Sequence, residues 1–317
     1  MTIQFNDRMI RRFTGWFLAV TTLVFLGSIS ASAQSSSPPL ELTEVEISIV
    51  LLDLRSINDS DQSFTANVFF MAQWHDHRLA HDGPDVLWRD LYEVWNPRLQ
   101  IVNRQQGVAL SMPQTVEVAP DGTVTYRQRA VGQFSQKLQL ADFPFDRQAF
   151  EIQLLAVGYS PSEIVFVGSS KIPSGVVPEL SLPDWTILEP RGVPRVYQPF
   201  PPIPPVAGFV FQVDATRKLG YYRWKIIIPL LLVVAMSWLV FWIDPELAGP
   251  QISVAVTSML TLIAYRFMVS GMLPKVSYLT RMDQFISMST LLVFLTLVEA
   301  TLTVTLANRG KEGLARA

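Results

Sequence analysis

Ser253, Thr257, Leu260, Ala264, Phe267 and Gly271 follow one another at alternating steps of four and three, beginning within the apolar segment Pro250–Ser270. That spacing puts them on one helical face, polar at one end and apolar towards the other. The segment is long enough to cross a bilayer as a helix, and lipid does not reward Ser and Thr hydroxyls, so the face looks to protein or to water. Two readings stay open on spacing alone. Ser253 and Thr257 bond to a neighbouring helix, or they line water, which one helix cannot enclose but a ring of identical copies can. The other candidate chemistry lies in the three histidines, which share one stretch as His75, His77 and His81. On a strand, His75 and His77 fall on one face and His81 could add a third ligand, a donor set suited to zinc. No Asp or Glu is clearly placed beside them, and the alternative is a set of polar side chains on the outward face of a strand whose other face carries Trp74, Asp76 and Arg78. No nucleophile–base pair and no phosphate loop appears, so neither an enzyme nor a cofactor is expected.

These residues need elements to hold them, and composition divides the chain. With 317 residues, 49% of them hydrophobic, it is too apolar for a soluble protein and too polar for one that is membrane throughout. A net charge of −2 with no long basic run removes the electrostatic case for nucleic acid. Arg8, Arg11 and Arg12 precede an apolar core from Trp16 to Leu26, and Ala31-Ser32-Ala33 is a small-residue cleavage site. Residues 1–33 therefore read as a signal peptide. Export permits disulfides, yet the chain has no cysteine, so the exported part rests on its core.

Ser35–Pro39 is a Ser/Pro linker, and residues 34–221 carry short alternating segments separated by turn residues. Runs beginning at Val45, Ser63, Thr123 and Ala149 read as strands, and Pro120-Asp121-Gly122 as a turn. One β-sandwich is expected, with a stiff extended loop at Pro199–Pro205. A helical membrane region follows over residues 222–307, with spans at 222–243, 250–270 and 284–307, and then a cytoplasmic tail at 308–317 holding Arg309, Lys311 and Arg316. The signal peptide sets the sandwich outside and the connector Asp244–Gly249 inside. Arg266 is costly at membrane depth, and Asp283, at similar depth, is its expected partner.

Trp74-His-Asp-His-Arg-Leu79, Trp95-Asn-Pro97, Phe143-Pro-Phe-Asp146 and Leu273-Pro-Lys-Val-Ser-Tyr278 occur in this order within an exported sandwich followed by membrane helices. Together they resemble the pentameric ligand-gated ion channel family, in its bacterial branch lacking the loop cystine, over about residues 40–307. The resemblance implies an immunoglobulin-like sandwich, a homopentamer with four identical subunits as partners, and a pore lined by the second span. It implies a multi-pass protein of the bacterial inner (plasma) membrane with its N-terminal domain in the periplasm, opened by a small extracellular ligand or by protons. The family has a fourth membrane helix where this sequence shows three spans, which implies an uncovered face on the third at Phe294, Leu297 and Thr301.

By the same resemblance Phe143, Pro144, Phe145 and Asp146 rest on the membrane region near Pro274, Lys275 and Tyr278, and Asp146 pairs with Arg217. Charge logic agrees, since a carboxylate on an apolar loop tip needs a partner and Arg forms bidentate pairs. The ligand positions implied are Phe69, Val102, Val157, Tyr159, Tyr197 and Phe200, an incomplete aromatic box that does not support a quaternary amine. Asp53 stands where proton-gated relatives carry an acid, although Leu262 replaces their pore-helix histidine. At the inner mouth Gly249 and Pro250 match neither selectivity type, and copies of Asp244 and Glu246 around a ring would enrich cations. The rival readings are a non-conducting membrane-anchored periplasmic sensor or assembly subunit, and a periplasmic zinc hydrolase built on the histidines.

Overall fold

The computed structural model describes residues 37–308, apart from residues 40, 106, 199 and 245. The expected signal peptide and nearly all of the expected tail lie outside the described residues.

Alternation of apolar and polar residues builds the first domain. In β1 (Thr43–Asn58) Val45, Ile47, Ile49 and Leu51 are buried, and in β2 (Ser63–His75) Phe64, Ala66, Val68, Phe70, Ala72 and Trp74 are buried. A period of two sends these to one face. β2 pairs antiparallel with β1 and with β7 (Thr123–Ser135), placing Phe69 opposite Val50 on one side and Arg129 on the other. The first sheet runs β10 (Gly175–Val176), β1, β2, β7, β6 (Thr115–Val118), β3 (Leu87–Asp90), with β9 (Ile164–Gly168) on β1 and β5 (Ala109–Leu110) on β7. The second runs β11 (Trp185–Tyr197), β12 (Val206–Arg217), β8 (Arg147–Ala156), β4 (Leu99–Ile101). Both sheets contribute to one core, which makes a sandwich. Phe150 of β8 joins them, edge-on to Phe64 at 5.1 Å and to Trp185 at 5.6 Å. At the Pro120-Asp121-Gly122 turn, Gly122 has φ +86 and a Cβ there would sit 2.6 Å from the Asp76 carbonyl oxygen, so only glycine fits.

The strand carrying the histidines is shorter than expected. It ends at His75, where Asp76 Oδ1 accepts the Arg78 N–H at 3.1 Å and caps a short 3-10 turn, His77–Leu79. Arg78 also grips the Asp76 carboxylate with Nε at 2.8 Å and Nη2 at 2.7 Å. A short polar side chain that offers the backbone a cap competes with strand continuation. His75 and His77 therefore do not share a strand face.

Three helices follow: α1 (Gly220–Trp242), α2 (Ala248–Ser270) and α3 (Arg281–Asn308), each apolar enough to span a membrane. Pro229 in α1 cannot donate to the carbonyl four residues back, that of Lys225, and the helix widens to a π turn over Arg223–Ile227. Tyr265 of α2 supplies the missing donor, its hydroxyl lying 3.1 Å from the Lys225 oxygen and 2.9 Å from that of Ile226. α3 begins three residues ahead of its expected start because Thr280 and Asp283 cap each other: the Asp283 N–H donates to Thr280 Oγ1 at 3.1 Å and the Thr280 N–H to Asp283 Oδ2 at 3.0 Å. The Asp283 carboxylate is thereby engaged. Arg266, expected as its partner, is exposed and makes no ion pair among the described residues.

Candidate functional site

α2 has two faces. Gln251, Ala255, Ser258, Leu262 and Val269 are buried against the rest of the chain. At about 100° per residue, Ser253, Thr257, Leu260, Ala264, Phe267 and Gly271 fall on the opposite side, and all six are exposed, Leu260 at 61% and Phe267 at 76%. The hydroxyls of Ser258 and Thr261 fold back onto carbonyls four residues earlier. Those of Ser253 and Thr257 have no partner among the described residues, so neither bonds to a neighbouring helix of its own chain. Gly249 and Pro250 lie in the first turn of α2, where the N–H that proline lacks is not needed. Asp244 and Glu246 are exposed just before it, with the Glu246 N–H donating to Asp244 Oδ1 at 3.2 Å.

The junction between sandwich and helices is built on Arg217, the last residue of β12. Its Nε donates to Asp146 Oδ1 at 2.8 Å and its Nη2 to Asp146 Oδ2 at 3.2 Å, a bidentate pair with side chains only 6% and 1% exposed. The same Nη2 reaches Asp59 Oδ1 at 3.0 Å, and Nη1 reaches the Tyr222 hydroxyl at 3.4 Å. The guanidinium lies 4.3 Å from the centre of the Trp185 ring and 4.9 Å from that of Phe143. Gln148 Nε2 donates to Asp146 Oδ2 at 2.7 Å. Burial alone would lower the Arg217 pKa, but hydrogen bonds and charge from Asp146 and Asp59 outweigh it and hold the group firmly cationic. At Asp59 burial wins over Arg217, helped by the like charge of Asp146, and the carboxyl is pushed above its ordinary value.

The Phe143–Asp146 loop meets the helices through α3 and the connector before it. The Leu140 N–H donates to the Tyr278 hydroxyl oxygen at 3.1 Å, that of Arg281 to the Ala141 carbonyl at 3.0 Å, and that of Met282 to the Phe143 carbonyl at 3.1 Å. Phe143 is fully buried edge-on to Tyr222 at 5.1 Å, while Phe145 is exposed. Pro144 is buried, as is Pro274 in the connector, and Lys275 is exposed. Sequence reasoning missed Asp59, Gln148, Trp185 and Tyr222. The only signal for Asp59 was its place in the acidic turn between the first two strands.

The expected ligand positions scatter. Phe69 is half-buried on the outward face of β2, beside Arg129, whose Nε donates to Asn67 Oδ1 at 2.9 Å. Val102, Val157, Tyr197 and Phe200 are exposed. Tyr159 is not: it is 8% exposed and its hydroxyl accepts from the Trp95 indole N–H at 3.0 Å, which makes it a core residue. Phe69 lies on the first sheet and Tyr197 on the second, so one chain does not unite them. Asp53 accepts from the Ser181 N–H at 2.9 Å and from Arg55 Nε at 3.3 Å. Burial tends to raise its pKa, but these bonds and the Arg55 charge bring it below the ordinary value. His81 Nε2 lies 3.4 Å from the Val118 carbonyl oxygen, and no group of three or more His, Cys, Asp or Glu converges to hold a metal among the described residues. In the third helix Phe294 and Thr301 are exposed, whereas Leu297 packs inward beside Val240, Ala255 and Ala300.

Residues 32–189 match the family model of the neurotransmitter-gated ion-channel ligand binding domain, and residues 226–314 match that of its transmembrane region. The chain belongs to the neurotransmitter-gated ion-channel family. The chain is 28% identical over 269 residues to gamma-aminobutyric acid receptor subunit alpha-2 of Bos taurus, an alignment covering 81% of the present chain. It spans 59% of that relative's length. The first match falls on the sandwich and the second on the helices. The family consists of pentameric channels that bind small ligands rather than of enzymes.

Proposed function

We propose that five copies of this chain form a homopentameric channel whose pore is lined by α2. The observation that carries this reading is the two-faced α2. Its Ser253–Gly271 stripe lies opposite the packed face, is exposed along its whole length, and holds two hydroxyls with no partner among the described residues. A ring of five such helices turns that stripe onto water, with Leu260, Ala264 and Phe267 as an apolar constriction. Asp244 and Glu246 collect at one mouth and favour cations. The ligand-binding face forms between copies, with Phe69 and Arg129 from one and Tyr197, Phe200 and Val102 from the next. Ligand or proton binding there reaches α2 and α3 through Arg217 and the Phe143–Asp146 loop. The membrane is a bacterial inner membrane with the sandwich on the periplasmic side.

The chain contains no cysteine, which makes the test direct. Thr257→Cys and Ala264→Cys, recorded in planar bilayers, should lose current irreversibly on exposure to a charged thiol reagent. Ala255→Cys and Leu262→Cys, on the packed face, should not. The reverse pattern would remove α2 from the pore. Asp244→Asn combined with Glu246→Gln should move the reversal potential in a salt gradient towards zero, and an unchanged potential would end the assignment of selectivity to these acids.

A further inference from the structure

The sequence has no cysteine, so its oxidisable sulfur lies in methionine. Oxidation follows exposure, and the methionines among the described residues divide by position. Met71 and Met282 are buried, and Met112, Met236 and Met259 are half-buried. Met268 and Met288 are exposed, but both stand inside the apolar lengths of α2 and α3, which suit lipid rather than water. Met272 is different. It is 46% exposed and lies in the connector just past Ser270, where α2 ends.

Its sulfur also has a partner. The Tyr221 hydroxyl, at the head of α1, donates to Met272 Sδ at 3.6 Å. A thioether is a weak acceptor, and it carries two lone pairs, so the phenol takes one and leaves the other to solvent. Tyr221 is itself tied to the junction. Lys225 Nζ lies 4.8 Å from the centre of its ring, and the ring is edge-on to Tyr222 at 5.4 Å. Tyr222 in turn takes Arg217 Nη1 on its hydroxyl at 3.4 Å. Contacts therefore run from the connector sulfur to the buried ion pairs beneath the sandwich.

We propose that Met272 is a site of reversible oxidation, at which a hydroperoxide such as hydrogen peroxide converts the thioether to a sulfoxide and Tyr221 holds the new oxygen. A sulfur lone pair attacks one peroxide oxygen, the S–O bond forms and the O–O bond breaks. The second oxygen leaves as hydroxide and becomes water with the remaining proton, so sulfur loses two electrons and the peroxide gains them. The sulfoxide oxygen is a full acceptor where sulfur was a weak one, and the side chain turns from apolar to polar. The bond from Tyr221 then fastens the connector to α1 more firmly than before. Met272 is open to this chemistry whether or not the chain conducts.

The probe is dilute hydrogen peroxide acting on the purified full-length chain in lipid nanodiscs, followed by peptide mass spectrometry. Met272 should gain one oxygen atom before Met268, Met288 and Met112 do, and the methionine sulfoxide reductases should remove it. Thermal unfolding reads the part played by Tyr221. The gap in melting temperature between wild type and Tyr221→Phe should widen after brief oxidation, and Met272→Leu should show no shift with peroxide. The order of oxidation is read on the wild-type chain and needs no variant to fold. The inference is overturned if Met272 is oxidised no faster than Met268 and Met288, or if oxidation shifts the melting temperature equally with and without the Tyr221 hydroxyl.

Discussion

Arg217 is the place where a small chemical change should have the largest readable effect. Replacing Asp146 with Asn keeps the shape and an oxygen for Arg217 Nε at 2.8 Å, but removes the charge and puts an amide NH2, which cannot accept, where Oδ2 takes Arg217 Nη2 at 3.2 Å and Gln148 Nε2 at 2.7 Å. Arg217 retains Asp59 at 3.0 Å. The expected cost is about 1.5–3 kcal/mol, that of hydrogen bonds to a charged group. Arg217→Gln is worse. It removes both ion pairs and the packing on Trp185, and leaves two buried carboxylates without a cation, so about 3–5 kcal/mol is expected. In that background Asp146→Asn discharges one of the stranded acids and should cost almost nothing or help. The two changes are therefore coupled by roughly 2 kcal/mol or more, well beyond the 0.3–0.5 kcal/mol scatter of independent sites. The assay is a double-mutant cycle on thermal unfolding of the purified chain, followed by size-exclusion light scattering to keep oligomeric state constant. Additivity within about 0.5 kcal/mol would show that the pair carries no private interaction and that the junction is held by its aromatic packing alone.

Tyr265→Phe should lower thermal stability by about 0.5–1.5 kcal/mol, because the Lys225 carbonyl, which Pro229 cannot bond, loses the Tyr265 hydroxyl; an unchanged melting temperature would mean another group satisfies it. Asp59 has a folded-state pKa raised above 3.8, so its contribution to stability is present below that value and is lost as pH rises through the folded-state pKa. Asp59→Asn should flatten the stability–pH curve just above pH 3.8, and a curve identical to wild type would refute the assignment. Leu260→Ser, and separately Phe267→Ala, should raise resting conductance by letting water into an apolar constriction; normal resting currents in both, at matched expression, would place the gate elsewhere.

Hydropathy and period were enough to place three long apolar helices within three residues of their ends, and to sort the faces of α2, because both properties are local. A helix long enough for the bilayer must satisfy its own backbone, and 3.6 residues per turn follows whatever surrounds it. The strands of the sandwich were legible for the same reason; charge on an apolar tip called for a cation beside Asp146, and the family resemblance pointed to Arg217. Other features depended on what the fold carries to a given point. Asp59 reaches Arg217 across 158 residues of sequence. Tyr159 was taken for a ligand residue, but the core closes over it because Trp95 needs an acceptor there. His75, His77 and His81 lie near one another in sequence and were separated by one aspartate that caps a turn. Asp283 was claimed by its own helix start before Arg266 could use it. Periodicity states which side of an element is apolar. Which partner meets that side is settled only when distant segments compete for the same buried space.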